Sequence, residues 1–346
     1  NLLCGFFLVR LDVSGRVGFD ENVIHHPPKN RVTIVGKGLF QSQFHQFLGR
    51  WTHVFISLSK LYHCKTQSLK VLRHLHRTPT VKCYLFDMEF LPQSMRHWNH
   101  RRYKKKLDNV ARTLTAIGEW NFPALIGLCE VENDTVMRDL TLYSPLKEAG
   151  YRYVMTHCSD LRGINVALLY QRDRFKLLSY SALSVGNFKG HRPTRDILHV
   201  SGLLLTGDTL DIMVAHLPSR SGGVRQSEPY RLYAAQKLKD AADSLINVRP
   251  STKLIIMGDF NDYPTDKSVV QVLQALSPEV STHHDRLYHL LARKAKDRNF
   301  GSYKYQGEWG LLDHLIVSGT LLDVSGTLFT EEKKANVACL PFLLTK

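Results

Sequence analysis

Apolar residues fall along this chain in two rhythms, and both become regular only from about Pro92 onward. There, short continuous apolar runs alternate with stretches whose apolar residues recur every three or four places, the marks of buried strands and amphipathic helices. Asn99 to Trp120 puts Leu107, Val110, Ala111, Leu114 and Ile117 on one helical face. Strands are predicted at 124–129, closed by Glu130, and at 164–170, 197–205 and 210–215. Thr206-Gly207-Asp208-Thr209 joins the last two as a hairpin-type connection, which predicts antiparallel pairing. Ala234, Leu238, Ala241, Ala242 and Leu245 form a second helical stripe. Val269, Val272, Leu273 and Leu276 form a third, entered past Pro264 with Thr265 or Asp266 as its cap. Runs beginning at Leu254 and Asp313 supply two more strands, and no internal repeat is present.

Before Pro92 the rhythm fails. Residues 22–83 mix histidines, basic residues and apolar clusters without a sustained period of either kind. Charge sharpens the contrast, because residues 1–83 hold 12 Lys and Arg against 3 Asp and Glu, out of a net +15 for the chain. The 65-residue run 22–86 contains no Asp or Glu at all, which is improbable for ordinary globular sequence. This basic segment reads as translated out of frame, poorly ordered, or otherwise unrelated to the domain behind it. A nucleic-acid-binding arm is the alternative, disfavoured because the stretch is rich in Phe and Leu.

With 346 residues, 43% of them hydrophobic, the chain can bury a large core as one α/β domain or two smaller ones. The positive balance points to a polyanionic partner without naming it. Six cysteines without a C-x-x-C pair argue against a zinc site or a disulfide framework, so reduced or buried thiols are expected. No apolar stretch is long enough to span a membrane. Leu2 to Val9 is too short, and lacks the preceding basic residues, to read as a signal peptide.

Polar residues cluster at strand ends. Glu130 closes Leu-Ile-Gly-Leu-Cys-Glu, His216 closes Ile-Met-Val-Ala-His, Asp259 and Asn261 close Ile-Ile-Met-Gly-Asp-Phe-Asn, and Asp313 opens Asp-His-Leu-Ile-Val-Ser. In an open α/β sheet the ligand crevice lies beyond the carboxyl ends of strands, where these side chains emerge. Asp259 and Asn261 alone would read as an Asx-type turn. Together with Glu130, His216 and Asp313 they supply what metal-assisted attack on a phosphate needs. A hard Mg²⁺ takes one or two carboxylates and leaves its other positions to water and substrate, while another acid orients or deprotonates the water. His314 faces away from Asp313 in a regular strand, and Arg101 to Lys106 read as a solvated helix face.

The segments Cys129-Glu130-Val131-Glu132-Asn133, 215–223 (Ala-His-Leu-Pro-Ser-Arg-Ser-Gly-Gly), Gly258-Asp259-Phe260-Asn261 and Leu312-Asp313-His314 resemble, in order, the motifs of the endonuclease/exonuclease/phosphatase superfamily, the deoxyribonuclease I-like fold. The likeness covers roughly residues 84–330. It implies a four-layer sandwich, two mixed β-sheets packed face to face with helices outside. By resemblance, Glu130 is the magnesium-binding glutamate, Asp259 the water-orienting acid and Asn261 the amide on the scissile phosphate. His216 contacts the phosphate or protonates the leaving group, and Asp313 supports a later catalytic histidine. Arg195 is a candidate phosphate clamp or the partner of a surface acid such as Asp196. Ser219 and Arg220 contact substrate or shape their Gly-Gly loop.

The chain departs from the pattern at both ends. No Asn-x-Glu-type first strand occurs in residues 1–90, and the closing Ser-Asp-His is absent. The expectation is therefore a basic segment at 1–83 and a domain at 84–346 lacking its last strand. The function expected from the resemblance is Mg²⁺-dependent hydrolysis, with Mn²⁺ as substitute, of a phosphodiester or phosphomonoester, DNA and RNA among the candidate substrates. The alternative is an inactive, truncated or frame-damaged member that at most binds phosphate esters or nucleic acid.

Overall fold

The computed structural model of the chain describes residues 6–13 and 30–37 as backbone, and 92–342 apart from 94, 96, 119–121, 159–162, 189–193, 279–281, 339 and 341. In chain order the strands and helices are β1 (Phe6–Val13), β2 (Asn30–Lys37), α1 (His100–Gly118), β3 (Leu125–Val131), α2 (Asp134–Leu142), β4 (Arg152–Met155), β5 (Asn165–Tyr170), β6 (Phe175–Leu183), β7 (Ile197–Leu204), β8 (Thr209–His216), α3 (Val224–Val248), β9 (Lys253–Asp259), β10 (Leu287–His289), β11 (Tyr303–Tyr305), β12 (Glu308–Gly310), β13 (Asp313–Ser318), β14 (Leu328–Phe329) and β15 (Asn336–Ala338).

They build two mixed sheets and one small hairpin. The first sheet runs β14-β2-β1-β3-β5-β4 with β15 also on β2, the second runs β10-β13-β9-β8-β7-β6, and β11 pairs with β12. In the first, β14 and β15 lie parallel to β2 among antiparallel neighbours. In the second, β8 and β9 are the parallel pair.

Alternation along each strand assigns its two faces to different layers. Leu125 and Cys129 of β3, with Val166 and Leu168 of β5, meet Ile212, Val214, Ile255, Met257, Leu315 and Val317 of the second sheet in one core. The opposite face of β3, Ile126 and Leu128, packs on Leu107, Val110 and Leu114 of α1 and on Met137 and Leu140 of α2. Met213, Leu254 and Ile256 likewise back onto Ala234, Leu238 and Ala242 of α3. The result is helix, sheet, sheet, helix, the expected four layers. Strands buried on both faces read as unbroken apolar runs, which is why β3, β8, β9 and β13 were recognisable from sequence.

Two expectations change. The third helical stripe is a single π-helical turn, Ser268–Val272, because Gln274 takes a positive φ of 54° and ends it. Leu276 then leaves the helix, its N–H donating to Leu287 O (2.9 Å) while its carbonyl accepts from His289 N–H (2.7 Å). The second change lies in residues 1–83, where the sequence pattern places no element. The backbone of β1 pairs antiparallel with β3 and that of β2 with β1. The rest of that stretch lies outside the described residues. Among the described residues no helix is long and apolar enough to cross a membrane. Cys129 and Cys158 are free thiols, and the other four cysteines lie outside the described residues.

Candidate active site

Pairing between strands brings the predicted acids together. Asp259, the last residue of β9, stands in register with His216 on one side and Asp313 on the other. Gly258 makes the first approach feasible. Its φ is +151°, and a Cβ there would overlap the Ala215 carbonyl oxygen of β8. Cys129 Sγ donates to that same carbonyl at 3.7 Å, which carries the end of β3 across from the other sheet.

Glu130 follows Cys129 at a β-bulge, since the register against β5 slips between Cys129 and Val131. Its φ is +60°, a left-handed conformation uncommon for a residue with a Cβ. Bulges re-aim a side chain, and backbone strain of this kind gathers at functional sites. Here it leaves a buried carboxylate near enough to Asp259 for the two charges to repel. Asn133 of the same motif caps α2 by accepting the Val136 N–H (3.2 Å).

Glu130, His216, Asp259 and Asp313 are all buried. Burial pushes the Asp259 carboxyl well above the usual carboxylate range, and the charges of Asp313 and Glu130 push it further. The Asn261 N–H and the Arg195 guanidinium oppose the rise. His216 Nε2 lies 3.9 Å from Asp259 Oδ2, close enough for attraction and too far for a hydrogen bond. Arg195 is buried beside them and donates through Nε to His216 O (3.1 Å) and through Nη2 to Leu217 O (2.6 Å). It therefore fixes the end of β8 while facing Asp259 with positive charge. Asp196 is bonded elsewhere, by Ser184 and the Val185 backbone.

The Asx turn also exists, and it serves the site. Asp259 Oδ1 accepts the Asn261 N–H (2.9 Å), Asn261 sits at φ 53°, and its Nδ2 donates to Leu217 O (3.1 Å). Arg220 reaches this turn from the loop after β8, donating to Asn261 O (2.6 Å) and pairing with Asp266 (2.7 Å) and Asp262 (3.5 Å). Its guanidinium holds the loop and the turn together. Ser219 is half-buried one residue before it.

Three residues with no sequence signal clamp the same turn. Arg231 of α3 is wholly buried and donates to Asp262 Oδ1 (2.6 Å), while Ser268 Oγ donates to Asp262 Oδ2 (2.6 Å). Beneath lie two histidines, His314 being also stacked on Phe260 with ring centroids 4.7 Å apart. Their tautomers follow from the bonds. The Leu291 N–H points at His289 Nδ1 (3.1 Å), so His289 carries its proton on Nε2 and donates to His314 Nδ1 (2.6 Å). His314 then carries its proton on Nε2 and donates to Asp262 O (2.8 Å). Burial holds His314 down at about 4 and His289 well below the ordinary histidine value, so both rings are neutral. As expected, His314 points away from the acids.

Among the described residues no group of three or more His, Cys, Asp or Glu is close enough to enclose a metal ion. The donor chemistry still suits a hard divalent cation. Buried carboxylates repel one another here, and Mg²⁺ needs few protein ligands because it keeps water and substrate oxygens. Glu130 would hold it.

Solved structures resemble this chain distantly. The human Nocturnin catalytic domain with bound sulfate is 18% identical over 62% of this chain and 75% of that one, with a TM-score of 0.45. A truncated Caenorhabditis elegans TDP2 is 15% identical over 62% and 77%, at 0.44. The D. rerio TDP2 complexed with single strand DNA product is 16% identical over 61% and 77%, at 0.43. No curated protein sequence matches. A family model described as Endonuclease/Exonuclease/phosphatase family matches residues 79–346, taking in every candidate residue above, and the chain belongs to that family.

Proposed function

We propose that this chain hydrolyses phosphodiester bonds, with water activated at Asp259 and a divalent metal held by Glu130. The observation behind this reading is the buried convergence of Glu130, His216, Asp259 and Asp313 on one end of the two sheets. A carboxyl raised by burial and like charge is a stronger base than a solvated one, which suits proton abstraction from water near neutrality. Asn261, fixed by the Asx turn, offers its amide to a phosphate oxygen. His216 faces the developing charge or the leaving group, and Arg195 adds positive charge from behind. A bound Mg²⁺ or Mn²⁺ supplies Lewis-acid stabilisation of the phosphoryl oxygens.

Hydrolysis of bis(p-nitrophenyl) phosphate with Mg²⁺ and with EDTA tests the proposal. Asp259→Asn and Glu130→Gln should each reduce turnover by roughly 10²-fold to 10⁴-fold. Metal-independent turnover, or full activity in both variants, would overturn it. No turnover by the unaltered chain would favour a non-catalytic phosphate-ester binder.

A further inference from the structure

The β11–β12 hairpin stands beside the acids. Its base is tied to them by Ser302, whose Oγ accepts the N–H groups of Leu312 (3.3 Å) and Asp313 (3.2 Å). Tyr303 and Tyr305 occupy the same face of β11, stacked with centroids 6.0 Å apart and planes within 12° of parallel. Opposite Tyr303 stands Gly310, where a Cβ would overlap the ring of Tyr263. The missing side chain thus admits a third tyrosine. Burial raises the Tyr303 hydroxyl above the ordinary phenol value, and the nearby Tyr305 and Tyr263 hydroxyls raise it further while Arg220 opposes them. A row of three rings therefore leads from Tyr263, two residues past Asn261, outward to Tyr305.

The row is open, and a guanidinium borders its inner end. Tyr305 is 55% exposed and Tyr263 38% exposed, far more than aromatic rings in the packed core. Arg220 lies 4.3 Å from the centre of the Tyr263 ring. On the hairpin's other face, Lys304 lies 5.3 Å from the centre of the Trp309 ring. The segment leading into the hairpin exposes Lys296 and Arg298.

We propose that this row is a stacking platform for the bases of a single-stranded nucleic acid whose phosphate lies at Asp259 and Asn261. The proposal rests on the phosphoesterase reading and extends it to a substrate class. Planar rings in a line, beginning beside Asn261 and bordered by the Arg220 guanidinium, fit a ligand that alternates phosphates with planar apolar bases. A duplex keeps its base faces covered and cannot use them.

The test is fluorescence anisotropy of labelled twelve-nucleotide strands with the full chain in EDTA, so that no hydrolysis intervenes. A base-bearing single strand should bind roughly 5-fold to 100-fold more tightly than an abasic strand of equal length and charge. Tyr305→Ala should erase most of that preference and leave the salt dependence unchanged, and Tyr305→Phe should keep it. Equal binding of abasic and base-bearing strands, tighter binding of duplex, no binding of any strand, or an unaltered preference in Tyr305→Ala would overturn the proposal. The two readings fail separately. Base-dependent binding without turnover of bis(p-nitrophenyl) phosphate removes the phosphoesterase and keeps the platform. Turnover with base-independent binding does the reverse.

Discussion

Lowering the pH from 7 to 5 should weaken the fold through the two buried imidazoles. Protonating His289 would aim a new N–H at the Leu291 N–H, and protonating His314 would aim one at His289 Nε2–H. Both rings therefore stay neutral in the fold and take up protons in the unfolded chain. Their folded pKa values are depressed, so their stabilisation is complete above the unfolded value of 6.5 and is lost as pH falls toward about 4, where His314 itself titrates. With 6.5 unfolded and about 4 folded, His314 alone contributes a loss of about 2 kcal/mol between pH 7 and 5. Asp259 works in the opposite direction, because a raised carboxyl pKa favours the fold as pH falls. A comparison of variants isolates the histidine. Urea unfolding of the unaltered chain and of His314→Phe, at pH 7 and pH 5, should give pH dependences differing by about 2 kcal/mol. Imidazole ¹⁵N shifts should show both rings as neutral Nε2–H tautomers at pH 6. Equal pH dependence in the two proteins, or an Nδ1–H tautomer on either ring, would refute the reasoning.

Other expectations follow from the same geometry. Gly258→Ala forces a methyl into the Ala215 carbonyl at a φ of +151°, and should lower stability by about 3 kcal/mol or more, read from thermal unfolding. An unchanged Tm would mean that β8 and β9 do not approach as described. Arg231→Met leaves buried Asp262 with only the longer contact to Arg220 (3.5 Å) and should cost about 3 kcal/mol in urea; Arg231→Met with Asp262→Leu should recover much of that, and no recovery would show that the pair matters only as packing. Asp259→Asn keeps the acceptor for the Asn261 N–H and removes one of the repelling charges, so its Tm at pH 8 should rise while hydrolysis falls. A lower Tm would contradict the crowded-carboxylate picture.

What could be read from the chain depended on burial. Strands such as β8 and β9, covered on both faces, show as apolar runs, and the polar residue ending each run marks the candidate site. Edge strand β6 does not, because much of Phe175–Leu183 faces solvent and its sequence keeps no clean alternation. Strand β4 is four residues long, too short for a period. The bulge that aims Glu130 had no glycine to announce it. Arg231 meets Asp262 across 31 residues, and His289 meets His314 across 25, so no local pattern could join either pair. Arg195 was visible as a cation near the site, but not its bonds to the His216 and Leu217 carbonyls. The tyrosine row leaves no local pattern because Tyr263 joins Tyr303 only through the gap at Gly310.

The most direct test of the central claim is the rate of bis(p-nitrophenyl) phosphate hydrolysis by the full chain with Mg²⁺, set beside Glu130→Gln and Asp259→Asn. The account predicts turnover that EDTA abolishes and that each variant reduces by roughly 10²-fold or more. Turnover that persists in EDTA, or in both variants, would contradict it.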